Sequence, residues 1–198
     1  MPKLLYAPAS PYSSKVRMAA SYAGIALELA KVETGPQPAE LTSVNPLGKI
    51  PCLVADDGEP VYDSRTITQY FNRLAAGNLF PRNAAKRLEA ERLEALADGM
   101  CDCLLAHVYE RRMRPEEKWH QPWMDAQWAK VVRSLDLLNA APPRFGKKIT
   151  AGHIALRACL GYMDLRFAGQ WQQRRSKLKR WAARFDQRFP DLVPLLPS

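Results

Sequence analysis

The stretch Asn45-Pro46-Leu47-Gly48-Lys49-Ile50-Pro51-Cys52-Leu53, followed ten residues later by Asp63-Ser64, combines two recognition devices in one short span. Asn45-Pro46-Leu47-Gly48 reads as a turn, and Cys52-Leu53 as the strand it feeds. Proline forfeits a backbone donor and is a poor choice inside a strand. At the start of one, after the apolar Ile50, Pro51 fits a cis peptide, a form that only X–Pro bonds take at modest cost. A cis bond there would turn the Ile50 amide and carbonyl outward, free to pair with an extended peptide ligand. Asp63-Ser64 opens a helix, so backbone donors and a hydroxyl await a carboxylate on the same ligand. A peptide clamp beside an anion hole points to glutathione.

Ser10 stands where the first strand signal gives way to the first helix signal, with Pro11 just after it. Serine is favoured at a helix cap and proline at the first helical position, so Ser10 fits a structural cap. The same geometry fits chemistry. A thiol brought to this helix start would meet the positive end of the dipole, and a hydroxyl donor there favours the thiolate. Only the thiolate is a good nucleophile, so lowering a bound thiol's pKa is catalysis in itself. Position alone supports both roles equally.

The elements that must hold these residues can be read from periodicity. Residues 3–7 form a short apolar strand, and 13–23 a helix with Val16, Ala19, Ala20 and Ala23 at helical spacing, stopped by Gly24. A strand over 27–32 and a short helix over 41–44 follow. Strands at 52–54 and 61–62 flank Asp57-Gly58, a hairpin signal, and 64–74 sets Ile67, Tyr70, Phe71 and Leu74 on one helix face. This βαβα-ββα order predicts a small mixed sheet covered by helices, an α+β arrangement of the thioredoxin-like kind by analogy. Residues 78–83 read as a linker by composition. Beyond them the strand signals vanish. Helices are predicted over 84–113, 126–139, from Thr150 to about 165, and from Ser176, and the prolines at 190, 194 and 197 keep the tail irregular. The chain therefore divides into a first domain over 1–77 and an all-α domain over 84–198.

Bulk properties narrow the partners. At 198 residues, 47% apolar and 25% charged, the composition is that of an ordinary globular protein, and no apolar run approaches a membrane span of about 20 residues. The opening Met1-Pro2-Lys3-Leu4-Leu5 is too short an apolar core for a secretory signal, which predicts a cytoplasmic location and no membrane partner. The four cysteines match neither a zinc spacing nor a redox C-x-x-C, so no metal is expected and buried thiols are. Net charge is +9, concentrated in Arg174, Arg175, Lys177, Lys179, Arg180, Arg184 and Arg188. Leu178, Trp181, Ala182, Phe185 and Phe189 interleave with them at helical spacing. A solvated face of an amphipathic helix is the expectation, not a nucleic-acid site.

Ser10-Pro11-Tyr12-Ser13-Ser14-Lys15-Val16-Arg17, Asn45-Pro46-Leu47-Gly48-Lys49-Ile50-Pro51 and Asp63-Ser64 resemble, in order and spacing, the motifs of the glutathione S-transferase family, in its serine-type form and a bacterial branch. The resemblance is specific over the first 77 residues; the helical half matches in layout and in Leu93-Glu94-Ala95-Leu96-Ala97-Asp98-Gly99. It implies a thioredoxin-like domain, an all-helical domain and a homodimer. Carried over, Ser10 falls where serine-type members stabilise the glutathione thiolate, and Ile50, before Pro51, where the backbone pairs with the cysteinyl unit. Ser64 falls at the γ-glutamyl carboxylate and Asp63 at its ammonium. Lys49 fits the glycyl carboxylate, or equally a solvated surface.

The second substrate, a small hydrophobic electrophile, is then expected on the long helix. Met100, Cys103, His107 and Arg111 form a stripe at i, i+3, i+7 and i+11, with Tyr12 closing the pocket from the other side. A Met and Cys stripe also fits a core, and a lone histidine a structural role. One departure from the family is Thr150 followed by His153 where an acid completes a capping box; His153 is expected as a substitute cap. The competing function is a binding protein that keeps the fold without the chemistry, like the transferase-like stress proteins that associate with RNA polymerase. Ser10, Ile50-Pro51 and Asp63-Ser64 together favour the enzyme.

Overall fold

The structure is a computed structural model, described here for residues 1–198 except Thr34, Pro36, Gln37 and Asn78. Its first half runs β1 (Lys3–Tyr6), α1 (Pro11–Ala23), β2 (Glu28–Lys31), α2 (Ala39–Thr42), β3 (Cys52–Val54), β4 (Pro60–Val61) and α3 (Ser64–Leu74). This is the predicted βαβα-ββα order; β1 and β2 are shorter by one or two residues, β3 has the predicted bounds, and β4 and α2 begin one and two residues earlier. The sheet order is β2-β1-β3-β4. β1 pairs parallel to β2 and antiparallel to β3, with Leu4 opposite Leu53 and Leu5 opposite Cys52.

Side chains alternate across a strand, and the two faces of this sheet are both apolar for that reason. Leu4 and Leu53 join Val16, Ala19, Ala20, Ile67 and Phe71 in the core beneath α1 and α3. Leu5 and Cys52 turn the other way, to Val32 and Leu41 of the α2 side. Gly24 ends α1 at φ 71°, a left-handed conformation that glycine reaches without a Cβ penalty.

The second half is helical: α4 (Ala84–Met113), α5 (Gln121–Ala140), α6 (Ala151–Arg166) and α7 (Ser176–Arg188). Thioredoxin-like sheet domain and helical domain together give the predicted fold. α5 starts at Gln121 and not at 126, because Pro122 suits a first helical turn, where its missing N–H costs nothing. The tail is more regular than predicted. Pro190–Leu195 forms a 3-10 helix, held to α1 by the Ser14 hydroxyl donating to the Leu195 carbonyl at 2.7 Å.

Of the segment predicted as a linker, Asn78 lies outside the described residues, Leu79 and Phe80 are anchored, and Arg82 and Asn83 are exposed. Leu79 and Phe80 are buried, and their amides donate to Asn72 Oδ1 at 3.1 and 2.9 Å. Composition marked a break between domains; tertiary packing buries its two apolar residues, Leu79 and Phe80.

α6 is buried on every side from Ala151 to Met163, as a mostly apolar helix requires, with its one buried charge, Arg157, paired with Asp186 at 2.6 Å. It crosses α4 at Gly152. A Cβ there would stand 2.5 Å from the Ala90 carbonyl oxygen and 2.8 Å from Leu93 Cβ. Gly152→Ala is therefore expected to lose about 1–3 kcal/mol through overpacking, measured as a lower urea midpoint at unchanged slope.

His153 takes the place of the usual acid at the start of this helix. The Thr150 amide donates to His153 Nδ1 at 3.1 Å, while Nε2 lies 3.2 Å from the Arg144 carbonyl. Nδ1 must accept, so Nε2 carries the proton and the ring is neutral. Burial, which lowers the His153 pKa, works in the same direction.

α7 buries Leu178, Trp181, Ala182 and Phe185 and leaves Lys177, Lys179, Arg180, Arg184 and Arg188 exposed, the solvated face expected. Arg184 lies over the Phe145 ring at 4.5 Å. Among the described residues no helix is long and apolar enough to cross a membrane.

Candidate active site

Three chain segments converge on one cavity of 740 Å³ between the sheet domain and helices α4 and α6. The start of α1 brings Ser10 and Tyr12, the β3-leading loop brings Lys49, Ile50 and Pro51, and the start of α3 brings Asp63 and Ser64. Seven of the residues singled out in the sequence thus share one wall.

Ser10 is the cap of α1. Its Oγ accepts from the Ser13 amide at 3.2 Å, and its own amide donates to the Ala7 carbonyl at 3.1 Å. Accepting a bond leaves the hydroxyl proton free, so capping and donation to a ligand are compatible. The neighbouring hydroxyls are committed elsewhere. Tyr12 OH donates to Asp102 of α4, and burial, with the acids and thiol around it, pushes the phenol well above its usual range. Ser13 is fully buried, and the Ser14 hydroxyl is spent on Leu195.

The loop before β3 is shaped by Asn45, which is buried. Its Oδ1 accepts from the Leu47 amide at 3.1 Å and its Nδ2 donates to the Lys49 carbonyl at 2.7 Å. Gly48 closes the turn, donating to the Asn45 carbonyl at 2.8 Å with φ 59°. The Ile50-Pro51 bond is cis, as the sequence predicted. Ladder pairing with β1 begins only at Cys52, so Ile50 lies beyond the sheet's own hydrogen bonds. The Lys49 side chain is exposed.

At α3 the cap is Asp63, whose Oδ1 accepts from the Arg65 amide at 3.0 Å. Ser64 is therefore the first helical residue, buried and on the cavity wall. Helix-start amides without intrahelical partners lie at this point, which suits a carboxylate.

The stripe Met100, Cys103, His107 and Arg111 does not face this cavity, and the expectation for it is corrected. The α4 residues that do are Asp98, Asp102, Leu105, Ala106, Val108, Tyr109 and Arg112. A shift of two positions rotates a residue by about 200° around a helix. The stripe accordingly meets α5: Met100 and Cys103 line a 200 Å³ hollow with Lys130 and Ser134. His107 packs edge-on to Phe167 at 5.6 Å and near Trp128, and Arg111 lies over Trp119 at 5.4 Å.

Comparison with known proteins decides the family. The model described as Glutathione S-transferase, N-terminal domain matches residues 4–79, and the one described as Glutathione S-transferase, C-terminal domain matches 121–184. The GST-like protein YibF of Escherichia coli K12 is 31% identical over 170 residues, 83% of each chain. This chain belongs to the glutathione S-transferase family. A glutathione transferase family member from Pseudomonas fluorescens Pf-5, solved with bound glutathione, is 33% identical over the whole of both chains with a TM-score of 0.91. A Pf-5 family member solved with S-(propanoic acid)-glutathione gives 32%, full coverage of both chains and 0.86.

Beneath the cavity of this family member lies a buried ion cluster that periodicity did not single out. Lys15 Nζ, 1% exposed, lies 2.8 Å from Asp98 Oδ2 and 3.2 Å from Glu94 Oε1. Thr68 donates to Glu94 at 2.9 Å and Arg65 Nε to Asp98 at 2.8 Å. Burial pushes the Glu94 carboxyl up, against the pull of Lys15. Two acids and two bases thus lock α1, α3 and α4 together. The available signal was Lys15 among small and apolar neighbours with acids at 94 and 98, four apart on one helix face.

Proposed function

We propose that this chain is a glutathione transferase in which the Ser10 hydroxyl holds the glutathione thiolate at the start of α1 for attack on a small electrophile with an apolar body. The observation that supports this most directly is the state of the four hydroxyls from Ser10 to Ser14. Tyr12 and Ser14 donate within the protein and Ser13 is buried, so Ser10 alone has a proton to offer to the cavity. A donor and the helix dipole both favour the anion, which raises the thiolate fraction at neutral pH.

In this reading residues 1–77 hold glutathione and 84–198 supply the wall for the second substrate. The Ile50 amide and carbonyl pair with the cysteinyl unit, Ser64 takes the γ-glutamyl carboxylate and Asp63 its ammonium. Lys49 reaches the glycyl carboxylate. That a Pf-5 relative accommodates S-(propanoic acid)-glutathione supports a cavity that holds both the tripeptide and a group on its sulfur. The protein acts as a cytoplasmic homodimer, a reading supported by its family and by the exposed Leu74 of α3 and Leu88 of α4.

Retention on immobilised glutathione, followed by conjugation of chlorodinitrobenzene, tests the proposal. A protein that flows through and is instead recovered with RNA polymerase would replace it with the binding-protein reading. Within the site, Ser64→Ala is expected to weaken glutathione by about 1.5–3 kcal/mol, the worth of a hydrogen bond to a charged group. The helix amides remain, so calorimetry should show reduced affinity and not its loss. Unchanged affinity would remove Ser64 from the site.

A further inference from the structure

The far wall of the cavity carries an uneven charge. Arg112 of α4 and Arg166 of α6 both line it, and both are exposed. Among the described residues neither guanidinium is paired with a carboxylate. Of the acids on the same wall, Asp98 is paired with Lys15 and Arg65, while Asp102 keeps its charge and accepts from the Tyr12 hydroxyl, so the two arginines outnumber the one uncompensated acid. Between the arginines and the sheet domain the wall is apolar and aromatic, through Leu105, Val108, Tyr109 and Tyr162. Tyr162 and Arg166 are neighbours at i, i+4 on α6, and Val108 and Arg112 stand in the same relation on α4. Each cation therefore sits one helical turn beyond an apolar or aromatic contact.

That order, reactive sulfur, apolar surface, two exposed arginines, describes a ligand with an apolar middle and an anion at its outer end. We infer that the second-substrate site selects electrophiles bearing a carboxylate remote from the carbon attacked, with Arg112 and Arg166 as its recognition residues. The inference rests on the glutathione reading and names the substrate class for it. In the reaction, sulfur forms a bond to the electrophilic carbon, the leaving group departs with the electron pair of its own bond, and the thiol proton passes to solvent. The arginines take no part in that step. They fix the outer end of the substrate by charge-assisted hydrogen bonds, for which the planar guanidinium is suited.

Two glutathione conjugates that differ only in this charge provide the test: S-(4-carboxybenzyl)glutathione and its methyl ester. The readout is the ratio of their dissociation constants by calorimetry, which cancels the shared tripeptide and needs no turnover. The free carboxylate is expected to bind at least about tenfold tighter in the native protein, in line with one to two charged hydrogen bonds. The preference should shrink as salt rises from 0.05 to 0.5 M, roughly as screening of an exposed pair requires. In the Arg112→Gln, Arg166→Gln double variant, confirmed folded by its thermal melt, the ratio should approach one. A ratio of one or below in the native protein, or one unchanged in the double variant, overturns the inference. S-methylglutathione separates the two levels of the argument. If it binds while the ratio is flat, only the carboxylate selectivity falls; if it does not bind, the glutathione reading falls and takes the selectivity with it.

Discussion

Ser10→Ala is expected to lower conjugation turnover near neutral pH on the order of 10²-fold while leaving glutathione affinity nearly intact, the pattern for loss of one donor to a reacting anion. In the proposed site the tripeptide is held at Ile50, Asp63 and Ser64, none of which the substitution touches. What it removes is the proton that Ser10 alone among its neighbouring hydroxyls has to offer. The bound thiol should then ionise closer to the ordinary cysteine pKa of about 8.5, so activity should recover partly as pH rises through that value. Ser10→Thr keeps a hydroxyl at the helix start and should retain much of the low-pH activity. Loss of the bond from the Ser13 amide will also cost about 1 kcal/mol of stability, whichever role Ser10 plays, so unfolding data do not discriminate. Ultraviolet absorbance of the bound thiolate does. Superimposable titration curves for the native protein and Ser10→Ala would leave Ser10 a helix cap and nothing more.

Lys15→Met is expected to have the largest effect on stability, a loss of about 3–5 kcal/mol, because it strands two carboxylates in a buried site. Glu94 and Asp98 are each about as buried as the lysine between them, and Arg65 compensates only Asp98. Glu94 already has its pKa raised by burial with Lys15 present, and losing that cation raises it further. A carboxyl whose folded pKa lies above its unfolded value favours folding at low pH and loses that contribution as pH rises through the folded value. The deficit should therefore be greatest at neutral pH and shrink as pH falls towards roughly 5. Adding Glu94→Gln should restore part of the loss at pH 7, since a neutral amide costs less to bury than an unpaired carboxylate. Urea unfolding of the single and double variants across pH measures both effects. A Lys15→Met protein as stable as the native one would show that the cluster contributes nothing net to the fold.

Local physics made much of this protein legible in its sequence. The α3 and α4 bounds were readable because helix signals act within a few residues of where they stand, and the structure shows Asp63 and Asn83 capping the two helices. That Ser10, Ile50 and Ser64 could be proposed from one dimension has the same reason: a helix cap, a turn before a proline and a helix start each present backbone groups next to them, and the fold brings all three to one cavity.

The helical wall was different. Helix α4 offers several stripes at the same periodicity, and period alone gives a stripe's existence and not its direction. Which stripe faced the cavity was fixed by how α4 packs against α5 and α6, and that packing put Met100 and His107 on the side away from the cavity. The segment after Asn78 shows the same limit: its residues read as a linker until Asn72 and α6 closed around Leu79 and Phe80. Lys15 is the clearest case. It stands 79 residues from Glu94 in the chain and within 3.2 Å of it in space. No window of sequence contains both, so only the folded chain could make a buried charge there affordable and turn three helices into one platform for the site.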